Sequence, residues 1–155
     1  MKKNSIDFRP PGGVDPAWRV AIVHALYYEE EVAAMAATAK DALLAAGIPE
    51  GNISLFPVFG SSEVPLIGTA IARNRSADAI IGLGIVVQGE TKHAEHLSRA
   101  VARGMMDVQL EYGMPFAYGV LHVTDIAQAR ARPEKGRECA FAVLHSLAQL
   151  KRLQS

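Results

Sequence analysis

The sequence predicts a layered α/β fold: a parallel sheet of about four strands with helices on both faces. Three observations carry that reading. Short apolar segments alternate with helix-like segments four times along the chain. Residues 78–87 form an apolar run bounded by charge and glycine, the pattern of a strand buried on both faces of a parallel sheet. The helical segments close on stop signals, Gly47 with Pro49 and then Gly113-Met114-Pro115.

Taken in order, residues 1–18 hold three prolines, two of them adjacent in Arg9-Pro10-Pro11-Gly12-Gly13. This composition predicts an extended or mobile arm, with a single domain over 19–155. Residues 20–26 read as the first strand. A helix over 29–46 follows, its acidic first turn (Glu29, Glu30, Glu31) matching the positive end of the helix dipole. A second strand spans 53–59. The turn Gly60-Ser61-Ser62-Glu63 leads into a helix over 64–74, with Ser61 or Ser62 as cap and Pro65 tolerated in its first turn. Strand 78–87 feeds a helix over 91–112, then come a strand over 116–122, a short helix over 124–131 and a last helix over 134–153. Ala140, Val143, Leu144, Leu147 and Leu150 line one face of that last helix.

At 155 residues the chain can bury a core without disulfides or metals. Sixteen basic residues balance sixteen acidic ones, and no basic stripe with interleaved aromatics suggests nucleic acid. Cys139 sits among apolar residues and reads as a small core residue rather than a nucleophile. No apolar run approaches the roughly 18 residues that span a membrane, and no apolar segment follows the N-terminal lysines as in a signal peptide. The expected location is cytoplasmic.

In a parallel sheet, ligands lie beyond the carboxyl ends of the strands. The third such turn, Gln88 to His93, joins a buried strand to a helix through Gly89. Unpaired N–H groups and partial positive charge at the helix start suit a phosphate or carboxylate. His93, one turn further in, exchanges protons near neutral pH. An anion seat beside a proton carrier is the candidate site. Glu90-Thr91-Lys92-His93 has the Glu-x-x-His spacing of di-iron bundles, but no second pair accompanies it, so no metal is expected. Gly82-Leu83-Gly84 precedes the strand's end without a G-x-G-x-x-G, which argues against a dinucleotide. Tyr27 reads either as a ligand contact or as a cover for the sheet end, and Glu63 either as a first-turn capping acid or as a ligand contact.

From about Val20 to Leu153 the chain resembles the lumazine synthases of riboflavin biosynthesis. Gly84-Ile85-Val86-Val87-Gln88-Gly89-Glu90-Thr91-Lys92-His93 is similar to that family's G-x-V-I-R-G-E-T-x-H. Asp41 to Gly47, Gly104 to Glu111 and Pro115 to Leu121 match in register around it. The resemblance implies a three-layer, flavodoxin-like sandwich and a transferase that needs no cofactor. The reaction it implies joins 5-amino-6-ribitylaminopyrimidinedione to 3,4-dihydroxy-2-butanone 4-phosphate, releasing phosphate and water to give 6,7-dimethyl-8-ribityllumazine. It further implies His93 as the proton-transfer residue, and Gly89, Glu90 and Thr91 around the substrate phosphate with Arg132 and Lys135. Val87 lies within the matched motif as a substrate contact. Tyr27 would stack on the pyrimidine, Ser62 and Glu63 would stand near it and its ribityl chain, and Tyr118 would reach into a neighbouring subunit's site. The implied assembly is a homo-oligomer built on pentamers with sites between subunits. The Pro-rich arm and a shortened segment between Arg132 and Lys135 favour a pentamer or a pair of pentamers over a capsid.

Three departures gather on the pyrimidine side. Leu26 replaces the arginine of R-F-N, Ser62 replaces the aromatic of P-G-A/S-F-E, and Gln88 replaces the arginine of V-I-R-G. They keep a second reading open: a diverged paralogue that takes another amine partner, or a non-catalytic flavin-binding or structural oligomer.

Overall fold

The computed structural model describes residues 8–89 and 91–155. Four parallel strands, β1 (Val20–Ala25), β2 (Ile53–Val58), β3 (Ala79–Val87) and β4 (Phe116–Val123), form one sheet in the order β2-β1-β3-β4. Parallel neighbours need crossovers, and helices supply them: α1 (Glu29–Ala45), α2 (Val64–Asn74) and α3 (His93–Tyr112). The chain continues through the short α4 (Ile126–Arg130) and ends in α5 (Lys135–Gln154). This is the flavodoxin-like, three-layer arrangement expected from the sequence.

Alternation along the strands divides the core into two layers. Val20 and Ile22 of β1 and Ile81, Leu83 and Ile85 of β3 pack under α1 and α5 with Met35, Leu43, Val143 and Leu144. Ala21, Val23, Ile80 and Val86 face α2 and α3 with Val64, Ile71, Val101 and Met105. β3 is buried from Ala79 to Val86 because it lies between two strands and two helical layers. Its glycines serve that packing: a Cβ at Gly82 would stand 2.6 Å from Met105 Cε and 2.7 Å from Val64 Cγ1. β2 is an edge strand with Leu55 and Pro57 exposed, a place where proline costs no interior ladder bond.

Several boundaries differ from the sequence reading. α3 begins at His93 rather than at residue 91. The serine cap expected for α2 is absent: Ser61–Glu63 forms a 3-10 turn of its own, and Glu63 takes the capping position without its side chain accepting an α2 N–H. The short helix shrinks to Ile126–Arg130, because the Asp125 carboxylate accepts the Ala127 N–H at 2.8 Å and sets the start there. Of the arm, residues 8–18 contain no helix or strand and run along α5. Phe8 stacks on Phe141 with ring centroids 6.4 Å apart, and Lys151 Nζ lies 3.2 Å from Asp15 Oδ2. Trp18 is buried with the α1/α5 layer, so the core reaches into the arm.

Candidate active site

From β1 the chain runs outward to β2 on one side, and from β3 to β4 on the other. The crevice between β1 and β3 is therefore the topological switch point, where strand ends leave room for a ligand. A cavity of about 520 Å³ occupies that position. Its walls come from the turns after β1, β2 and β3 and from the first turn of α3.

Seven of the expected site residues line this one cavity: Tyr27, Ser62, Glu63, Val87, Gly89, Thr91 and His93. Glu90 lies outside the described residues. The turn after β2 owes its shape to reciprocal bonds: Glu63 N–H donates to the Gly60 carbonyl at 3.1 Å, and Gly60 N–H donates to Glu63 Oε1 at 3.1 Å. Glu63 is thus the turn-closing acid of one sequence reading, and it lines the cavity as the other required. The turn after β1 starts from Leu26 N–H donating to the Val58 carbonyl at 2.8 Å, which ties the ends of β1 and β2 together. Tyr28 then takes a left-handed backbone, with φ of 57°. Non-glycine residues adopt this at a cost, most often where the surroundings dictate a shape.

On the phosphate side, Thr91 Oγ1 accepts the His93 N–H at 3.3 Å. That local bond offers the backbone an alternative to helix and explains why α3 starts two residues later than expected. The first intrahelical bond runs from His96 N–H to the Lys92 carbonyl, and the Ala94 and Glu95 N–H groups have no helical acceptor among the described residues. His93, the first residue of the helix, is exposed to the cavity.

Tyr118, Arg132 and Lys135 do not line the cavity. Tyr118 stands on the edge strand β4 and is exposed, and partial burial of its hydroxyl raises that group above the ordinary tyrosine range. The segment holding Arg132 and Lys135 is fastened to α1 instead. Thr38 Oγ1 donates to the Pro133 carbonyl at 2.6 Å, and Gly136 presses against the Met35 carbonyl where no Cβ would fit. Arg132 is exposed, and Lys135 Nζ lies 3.6 Å from Glu138 Oε2. One chain therefore gathers the His93 group in one place and presents Arg132, Lys135 and Tyr118 elsewhere.

The cavity also contains residues the sequence did not single out for ligand contact. Ser61 is only 6 % exposed, and its hydroxyl has no hydrogen-bond partner among the described residues. It packs against Gly84, where a Cβ would collide with the Ser61 Oγ. Nothing in the local pattern announces that contact, since it joins the turn after β2 to the middle of β3 through the fold. Phe59 and Tyr28 line the mouth, and their signal was available as aromatic residues one or three positions beyond a strand end. Among the described residues no group of three His, Cys, Asp or Glu side chains is placed to hold a metal ion. Cys139 is buried, and burial raises its thiol to about 11, so it is an inert core residue rather than a nucleophile.

Comparison with known proteins follows the same lines. The sequence model of the family described as 6,7-dimethyl-8-ribityllumazine synthase matches residues 17–151. A 6,7-dimethyl-8-ribityllumazine synthase of Xanthomonas oryzae pv. oryzae (strain PXO99A) is 36% identical over 143 residues, covering 89% of this chain and 90% of that protein. One from Stenotrophomonas maltophilia (strain K279a) is 36% identical over 140 residues, covering 87% and 90%. Another, from Xanthomonas euvesicatoria pv. vesicatoria (strain 85-10), is 37% identical over 131 residues, covering 81% and 85%. With the family's sequence model spanning nearly the whole described fold, this chain belongs to the 6,7-dimethyl-8-ribityllumazine synthase family.

Proposed function

We propose that the chain condenses 5-amino-6-ribitylaminopyrimidinedione with 3,4-dihydroxy-2-butanone 4-phosphate to 6,7-dimethyl-8-ribityllumazine, in a site completed by a second copy of itself. The observation that carries this reading is the convergence of Tyr27, Ser62, Glu63, Val87, Gly89, Thr91 and His93 on one cavity in a member of this family. Imine formation, phosphate elimination and ring closure all move protons near neutral pH, which suits His93 at the cavity wall. N–H groups in the first turn of α3 meet the phosphate charge and make it a better leaving group. Arg132 and Lys135 add cationic donors from a neighbouring subunit, with Tyr118 closing the ring side, and a pentamer supplies the repeat of such contacts. Holding two substrates together supplies much of the rate, which calls for rigid positioning rather than strong acids or bases.

A second reading draws on Ser62, which is small and exposed where the family pattern has an aromatic. It describes a diverged member that keeps the phosphate side and takes a different amine partner. A turnover assay with both substrates, following lumazine absorbance, separates the two. Product formation that falls at least about a hundredfold in His93→Ala, the lower range for a general acid–base residue, supports the synthase. Absence of product from a folded oligomer overturns it and favours the diverged member.

A further inference from the structure

We propose that Phe59 is a specificity-determining residue for the ring-bearing substrate, forming with Tyr27 an aromatic corner that grips a planar heteroaromatic ring. This inference rests on the reaction proposed above, and it concerns a position where the family pattern has a proline. β1 and β2 run in register up to Ala25 and Val58, and the Leu26 N–H to Val58 carbonyl bond closes the ladder. Leu26-Tyr27 and Phe59 therefore leave the sheet side by side. Their rings meet edge to face, with centroids 5.3 Å apart and planes at 79°. Gly60 keeps the space beneath them open: a Cβ there would already touch Tyr27 Cδ2 at 3.4 Å.

Both rings line the cavity, yet Phe59 is 69 % exposed and Tyr27 57 % exposed. A phenyl group left that open at a cavity mouth has an unused apolar face in the free protein. Two rings at right angles present one face and one edge toward the same volume, which complements the quadrupole of a flat heterocycle. Ser62 adds no ring to the wall on its own side. The aromatic surface for the substrate thus moves from residue 62 to residue 59.

The test compares Phe59→Ala, Phe59→Leu and Phe59→Trp with the parent protein, titrating 6,7-dimethyl-8-ribityllumazine by its own fluorescence. Loss of a stacking face predicts about tenfold weaker binding in the alanine and leucine variants, and near-parental binding in the tryptophan variant. Where turnover is measurable, the KM for the pyrimidine rises with the binding constant while the KM for butanone phosphate stays within about twofold. Ring affinity within about twofold of the parent in the alanine or leucine variant overturns the inference, as do equal shifts of both KM values. Turnover by the parent with Phe59-independent ring affinity sinks only this inference. Phe59-dependent ring affinity without turnover sinks only the proposed reaction. A parent protein that neither turns over nor binds the lumazine sinks both.

Discussion

Substituting Gly84 by alanine tests what holds Ser61, one wall of the cavity, in place. The new Cβ would overlap Ser61 Oγ and stand 3.3 Å from Ser61 Cβ and 3.6 Å from Ala25 Cβ. β3 cannot yield, because it pairs on one side with β1 and on the other with β4, where Gly84 faces Val120. The turn carrying Ser61 must move instead, against its two 3.1 Å bonds between Gly60 and Glu63. Overpacking of this kind costs about 1–3 kcal/mol. For a chain of this length that lowers Tm by about 3–10 °C. Ser61→Ala alone removes a buried hydroxyl that has no partner among the described residues, so it leaves stability within about 0.5 kcal/mol or raises it. In the Ser61→Ala background the overlapping atom is gone and a tight 3.3 Å contact remains, so Gly84→Ala costs at least about 1 kcal/mol less there. The assay is a double-mutant cycle of urea and thermal unfolding at one protein concentration, which holds any contribution of association fixed. Equal costs of Gly84→Ala in the two backgrounds would refute the Ser61–Gly84 contact as what holds the turn carrying Ser61 in place.

Two further outcomes follow from buried groups. His24 is half-buried in β1, and burial lowers its imidazole below the ordinary histidine value, with the Glu29 carboxylate opposing. The unfolded chain then takes up the proton first, so this contribution is present above the ordinary value and is lost as pH falls from there toward the depressed folded value. Urea midpoints measured between about pH 5.5 and 7 should fall with pH, and the slope should flatten in His24→Gln; an unchanged slope would show that other groups cause it. Cys139, with its thiol raised to about 11, holds about one part in ten thousand as thiolate at pH 7. A disulfide-exchange reagent should label it only as the protein unfolds, and rapid stoichiometric labelling of the native protein would contradict its burial.

The order of strands and helices was legible because each element announces itself within its own segment. The Asp78–Val87 stretch shows continuous apolar character, Gly47 and Gly113 mark helix ends, and Pro65 sits where a first turn accepts it. Start positions were less legible, because they depend on single bonds. The Thr91 hydroxyl delays α3, Asp125 shortens α4, and the Gly60–Glu63 pair turns an expected cap into a separate 3-10 turn. Glycine carried two meanings that sequence could not separate. Gly82 and Gly84 lack side chains because Met105, Val64 and Ser61 fill that space, not because a phosphate does.

The sequence by itself determined the layered α/β class, the parallel sheet and the family, because periodicity and a contiguous motif are local properties of the chain. It also named seven residues that line the candidate site. Only the tertiary structure decided which of them meet. Parallel strands bring the turns after β1, β2 and β3 to one end of the sheet, joining Tyr27, Glu63 and His93 from three separate turns. The same packing fastens Pro133 and Gly136 to α1 and so carries Arg132 and Lys135 away from that cavity. Which side chains share a volume depends on strand order and helix docking, and these arise from burial of the whole core rather than from any one segment.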